Sequence, residues 1–457
     1  MQMRLYPIRF FLVLFSIVFI QTTTAQSQSQ SQSLLNSYIE EGLKANIALS
    51  QETLEIERAM IQLQNASSLF YPTVAFNGSF TSGEGGRFFN FPLGDIVNPV
   101  YSTLNQLTSS NAFPQIENSE AFLNPKNFYD AHVRTSMPLV NTDIIYNKRI
   151  QKSQVEVRTA GLLVYKRELI KQIKTAYFQY AQSVQAIDVY TSALGLIERT
   201  QLITESLVKN GKAIPAQLSR VQAEKAKIEA DLNSATNQSV NARSYFNFLI
   251  NRPLDATIEL VAVANKITSL SDDVYKNREE IRMLEKVVLI QQTVLQMERS
   301  FVVPKLSAFI DLGSQAEQWR VDEKSRYYLL GIQMDIPIFE GGRNTRNTKL
   351  AEIQVKDAQL ELENTQKQLQ LAISVASNNV QSEIDKLESA KQMQTASAAY
   401  YSAIENGFKA GVTPLLDYLD ARTQLTNASL ALTIQEFKLA EAIAQLERES
   451  ASDIINN

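Results

Sequence analysis

A chain of 457 residues with 44 lysines and arginines against 48 aspartates and glutamates carries a formal charge of −4, which offers no electrostatic footprint for a nucleic acid. It contains no cysteine and one histidine, which excludes a disulfide framework, a thiol nucleophile, a thiolate-held metal and an N-terminus lipidated on cysteine. His132 has no second histidine with which to complete a catalytic or metal site, and it reads as a solvated or pore-facing strand residue.

Residues 1–25 read as a secretory signal peptide. Arg4 and Arg9 precede an uncharged run from Phe10 to Ile20, with Thr23, Thr24 and Ala25 behind it, and that run is too short to span a bilayer as a helix. Its removal leaves 42 basic against 48 acidic residues. Residues 26–70 are expected to form a Gln/Ser-rich leader, Gln26 to Ser33, and a helix from Leu34 to Leu69.

Residues 71–140 are expected to hold two strands and a long outer loop. In the first strand Val74, Phe76, Gly78 and Phe80 alternate with Thr73, Ala75, Asn77 and Ser79. In the second, Tyr129, Ala131, Val133, Thr135, Met137 and Leu139 oppose Asp130, His132, Arg134 and Ser136. Such a period of two marks a strand with one apolar side. Between them Ser82 to Asn127, rich in Gly, Pro, Asn and Phe, reads as a surface loop that is either functional or decorative.

Residues 141–253 are expected to form a coiled-coil helical hairpin with its tip at 211–215. Leu162, Tyr165, Leu169, Ile173, Ala176, Tyr180 and onward to Ile197 recur with a mean spacing of about 3.5, the coiled-coil period. Residues 254–303 form a connector and a further helix, in which adjacent Glu279 and Glu280 read as a solvated helix start. Residues 304–340 carry the third and fourth strands, with Leu306, Ala308, Ile310 and Leu312 on one and Tyr328, Leu330, Ile332, Met334, Ile336 and Ile338 on the other. Residues 341–457 form a second hairpin whose tip is 411–414. Gly341 and Gly342 supply the backbone freedom needed where the chain changes period, and Asn344 to about Phe408 is an uninterrupted helix of roughly 65 residues, about 100 Å long.

The second half repeats the first. Pro138 and Pro337 stand at equivalent strand–helix junctions, Gly211 and Gly411 at equivalent tips, and Pro138 to Pro215 spans 77 positions, as does Pro337 to Pro414. Matched spacing of this kind argues for internal duplication. No later run of about 18 apolar residues occurs, so no transmembrane helix is expected; alternating strands of about ten residues cross bilayers without one. Four such strands do not close a barrel, so they must be shared between chains, and a trimer supplies roughly 12.

The whole mature chain resembles the TolC family of outer-membrane efflux proteins. The carrying features are the duplicated strand–helix–tip–helix plan, the turn Ile336-Pro337-Ile338-Phe339-Glu340-Gly341-Gly342-Arg343, and the tip from Gly411 to Arg422. The resemblance implies an α+β membrane protein: a homotrimer with a 12-strand β-barrel in outer-membrane lipid and an α-helical barrel in the periplasm. It implies a passive export channel of a tripartite efflux or type I secretion system, without enzymatic activity or cofactor. Its implied partners are a periplasmic adaptor and an inner-membrane pump. Asp417 and Asp420 match the family's acidic pore and gate positions, although a first-turn acid such as Asp417 is favoured by the helix dipole alone. Gly211, Pro215, Gly411 and Pro414 match the adaptor-contacting tips. Phe408, Thr413 and Gln217 depart from the family's gate residues. The competing reading is a periplasmic coiled-coil adaptor without a channel, which accounts for the hairpins but not for four amphipathic strands.

Overall fold

The structure, a computed structural model, describes residues 33–124, 126–260 and 278–452. The expected signal peptide, nearly all of the leader and most of the connector after Asp255 lie outside the described residues. The chain divides into two units: Met60–Lys152 with Ile290–Gln354, and Met1–Ala59 with Ser153–Leu289 and Val355–Asn457.

The first unit is organised by a four-stranded antiparallel sheet ordered β1-β4-β5-β6, formed by β1 (Thr73–Thr81), β4 (Phe128–Val140), β5 (Lys305–Glu317) and β6 (Arg326–Asp335). The pairing of β4 with β5 joins the two repeats, leaving β1 and β6 as edges. Register fixes which side chains share a face. Val74, Thr135, Ile310 and Leu330 form one cross-strand row, and Phe76, Val133, Leu312 and Tyr328 the next. On the opposite face run Ala75, Arg134, Asp311 and Leu329, then Asn77, His132, Gly313 and Tyr327.

Three local differences from the sequence reading have physical causes. Pro138 does not end its strand: it faces Ser307 inside β4, with a bulge between it and Val140, the position where a residue without an N–H is tolerated. Pro337, its counterpart, lies beyond β6, which stops at Asp335, so Ile336 and Ile338 are not strand residues. The long outer loop is structured: β2 (Phe88–Phe91) pairs with β3 (Ser119–Phe122), and α3 (Leu93–Thr108) runs between them. Asn98 and Asn105 staple α3 to the chain that follows, through Ile116 and Phe113.

The second unit is helical. Helix α4 (Thr142–Lys209) has 68 residues and α7 (Arg343–Lys409) has 67, each about 100 Å long. They return as α5 (Pro215–Leu249) and α8 (Leu415–Ser450). The expected single helix from Leu34 to Leu69 is two, α1 (residues 33–45) and α2 (Ile47–Ser68), with Asn46 between them. The Asn46 side chain accepts the Leu49 N–H at 2.9 Å and donates to the Leu249 carbonyl at 2.8 Å, so it caps α2 rather than continuing α1. Leu169, Ile173, Ala176 and Tyr177 of α4 pack with Tyr38, Phe246 and Phe437 into one core. Gly42 admits that packing, because a Cβ there would lie 2.5 Å from the Ile173 Cδ1.

Candidate functional site: the amphipathic sheet and the helical tips

The two faces of the sheet differ in chemistry. Val74, Phe76, Tyr328, Leu330 and Ile332 are exposed on one side, and no second layer covers them among the described residues. At the loop end Trp319 lies flat between Phe80 and Tyr129, its ring 5.3 Å from one and 5.2 Å from the other. An apolar band ending in stacked aromatics, two of them able to hydrogen-bond, is the chemistry of a surface that meets lipid and then the headgroup layer.

The other face is polar and internally bonded. Arg134 donates from Nε and Nη2 to the two oxygens of Asp311, both at 2.7 Å, while its guanidinium lies 5.0 Å from the centre of the Phe309 ring. Phe309 in turn occupies the space that a side chain at Gly331 would need, since a Cβ there would come within 2.5 Å of the ring. Tyr327 donates to Asp130 at 2.8 Å, and His132 Nδ1 lies 3.1 Å from the same Asp130 oxygen. His132 thus belongs to a strand-surface polar row. Among the described residues no cluster of His, Asp or Glu is placed to hold a metal ion, and no helix is long and apolar enough to cross a membrane.

The two tips, described within the helical unit, share one geometry. At the first, Gly211 donates to the Val208 carbonyl and Lys212 to that of Leu207; at the second, Gly411 donates to Phe408 and Val412 to Gly407. Both glycines are left-handed, with φ of +70° and +77°. This is the Schellman ending in the same register twice. The prolines differ by one place: Pro215 is the first residue of α5, whereas Pro414 precedes the first residue of α8. The equal 77-residue spacing therefore arises from a slightly longer first tip offset by a slightly later second glycine.

Asp417 and Asp420 are both exposed on α8, three residues apart and so on one helix face. Tyr418, Leu419 and Ala421 fill the buried side, with Ile197 and Val221 from the first hairpin. Phe408 stacks on Tyr418 at 4.7 Å, and the Tyr418 hydroxyl lies 3.2 Å from that of Tyr401. Burial, the neighbouring phenol and the Glu405 carboxylate push the Tyr401 hydroxyl well above the ordinary tyrosine range. Thr413 tucks its hydroxyl against Gly407, where a Cβ would meet it at 2.2 Å.

Sequence reasoning missed Arg422. It is 2% exposed, its Nε has no hydrogen-bond partner among the described residues, and its guanidinium is 3.6 Å from Glu224 of α5. Burial holds it below the usual arginine range despite Glu224. The signal, a lone arginine following the apolar Leu415, Tyr418, Leu419 and Ala421, is indistinguishable from a solvated helix position without the partner hairpin.

Glu279 and Glu280 are a correction. Glu279 is buried and bound by Arg167 of α4 through two bonds of 2.7 Å, and Glu280 pairs with fully buried Arg278. Arg278 also reaches Glu449, and Arg448 reaches Glu168 and Glu449. Burial would raise the Glu279 carboxyl, but Arg167 holds it below the usual carboxylate range. The start of α6 (Glu279–Arg299) is thus the anchor of a buried charge network, because arginines from distant stretches converge on it.

A four-stranded sheet amphipathic across its two faces, carried with two long helical hairpins on a duplicated chain, is the fold of outer-membrane channels. The chain superposes on the Campylobacter jejuni CmeC outer membrane channel with a TM-score of 0.75 over 91% of this chain and 85% of that one, at 17% identity. Residues 270–449, about two fifths of the chain, match the family model described as outer membrane efflux protein. It is 25% identical over 139 residues to the outer membrane protein TolC of Vibrio cholerae, covering 29% of this chain and 32% of that protein. It is 27% identical over 127 residues to that of Escherichia coli, covering 28% and 25%. These matches thus span about a third or less of the curated relatives' length.

Proposed function

We propose that this chain is one subunit of a passive export channel in the outer membrane, its helices extending into the periplasm. The observation that carries the reading is the sheet: one exposed apolar face, one polar face with its own hydrogen bonds, and two unpaired edges. In lipid an open edge leaves backbone groups unsatisfied, so spanning strands must close into a barrel of at least about eight. Three copies joined edge to edge, β1 of one to β6 of the next, supply roughly 12 and place the polar face inside.

On this reading residues 71–140 and 304–340 build the barrel, and the hairpins 141–253 and 341–457 build the periplasmic conduit. Pro337, Gly341 and Gly342 redirect the chain from strand to helix in the second repeat, whereas in the first Pro138 marks the bulge two residues before its strand ends. The tips, with Gly211, Pro215, Gly411 and Pro414, meet a periplasmic adaptor that couples the conduit to an inner-membrane pump. Three Asp417 and three Asp420 carboxylates around a narrow axis make a negative constriction that favours cations. The test is single-channel conductance of the purified mature chain in planar bilayers. Discrete cation-preferring openings are expected; a chain that stays soluble without detergent and conducts nothing would return the reading to a periplasmic adaptor.

A further inference from the structure

Where β6 gives way to α7, within the strand-bearing unit, the chain forms a cavity of about 520 Å³ between the end of α6 and the first turns of α7. Its walls include Arg299, Phe301, Thr345, Arg346, Lys349 and Glu352, three cations against one carboxylate. Glu352 is shared by Arg299 at 2.9 Å and Lys349 at 3.3 Å. Arg346 donates to the Gly341 carbonyl at 3.1 Å and pairs with no carboxylate among the described residues. Arg346 and Lys349 lie in the first two turns of a helix with no acid in its first turn, where the positive end of the helix dipole disfavours a cation at Arg346. An anion in the cavity relieves both the cation repulsion and the dipole.

The apolar surroundings narrow the choice of anion. Ile338 and Phe339, in the link immediately before α7, are 95% and 86% exposed. They continue by sequence from Ile332 and Met334, the end of the apolar sheet face. Exposed apolar side chains and a cationic cavity on one short stretch of chain match an amphiphile, not a free ion.

We propose that this cavity binds the phosphate headgroup of an anionic phospholipid, whose acyl chains run along the apolar face at Met334, Ile338 and Phe339. The proposal rests on the reading of the sheet as membrane-spanning. Arg346 and Lys349 supply charge to the phosphate, Thr345 a hydroxyl donor, and each lost cation weakens binding by about fivefold.

The experiment is native mass spectrometry of the full mature chain released from detergent in the presence of phosphatidylglycerol, phosphatidylethanolamine or inorganic phosphate. Wild type is expected to retain phosphatidylglycerol over phosphatidylethanolamine, and R346Q/K349Q to lose that preference by roughly 25-fold. R299Q/K349Q, which leaves the Arg346 contact to Gly341 intact, should fall similarly, and Lys367→Gln, farther along α7, should change nothing. Equal retention of the two lipids, or a preference unaltered in both double variants, overturns the proposal. Displacement of the lipid by an equal concentration of inorganic phosphate also overturns it, in favour of a soluble-phosphate site. Conductance of the same preparations separates the two readings: channels without lipid preference sink only this proposal, whereas a soluble, non-conducting chain sinks the channel as well.

Discussion

Arg134 and Asp311 grip each other through two parallel bonds of 2.7 Å, on the one strand pair that joins the first repeat to the second. The clasp therefore does for the side chains what the β4–β5 ladder does for the backbone. Removing one partner strands the other; replacing both with neutral residues does not. Arg134→Gln and Asp311→Asn should each lower the thermal unfolding temperature, and the double variant should lie above the worse single one. A double variant whose loss equals the sum of the two singles would show that the clasp carries no coupling.

The buried network at the start of α6 sets an acid limit. Glu279 and Glu168 both lie below the usual carboxylate range, with Arg167 holding the first and Lys171 and Arg448 the second against the opposing effect of burial. For a depressed carboxyl the contribution to stability is complete above the unfolded value of about 4.3 and is lost as pH falls through the lower folded value. Thermal melts followed by circular dichroism should be flat from pH 7 to about 5 and decline steeply below about 4. Glu279→Gln should lower stability at pH 7 and flatten the acid decline, because it removes the carboxylate that takes two charge-assisted bonds from buried Arg167.

Gly407 poses a contest between two effects. Alanine there gains helix propensity of about 1 kcal/mol, yet its Cβ would sit 2.2 Å from the Thr413 hydroxyl. Gly407→Ala should destabilise the wild-type tip, and should stabilise a Thr413→Ala background, where the obstructing atom is gone. Proteolytic nicking at the tip reads both. Gly411→Ala, at φ of +77°, should destabilise in either background by about 1 kcal/mol.

The paired aspartates of α8 make an electrical prediction. Asp417→Ala with Asp420→Ala should raise anion permeability relative to cations in planar bilayers, because it removes the negative constriction proposed at the tip. Unchanged reversal potentials under a salt gradient would remove the assignment and leave Asp417 as a helix-start acid.

Much of the fold is written in short-range pattern. Alternation along Tyr328 to Met334 and Tyr129 to Met137 specifies strands and their faces, and Gly411 with Pro414 specifies a tip, because each signal depends only on near neighbours. The residues that escaped depend on distant ones. Asn46 breaks a continuous helical pattern through the carbonyl of Leu249, some 200 positions away. Glu279 looks solvated until Arg167 arrives from α4, and Arg422 looks solvated until Glu224 arrives from α5. The helix α3 escaped for another reason: Pro92 at its cap and Pro99 within it read locally as loop.

The placement of β1 and β6 at the two margins of the sheet has a genetic consequence. If each chain must be completed by the next, a defective edge injures its neighbours as well as itself. Phe76→Pro, which removes a backbone donor from β1, should therefore be dominant when co-expressed with wild type. With equal supply and random mixing, only roughly one ring in eight would contain three intact margins, so export should fall far below half, whereas a variant that never folds should leave half intact.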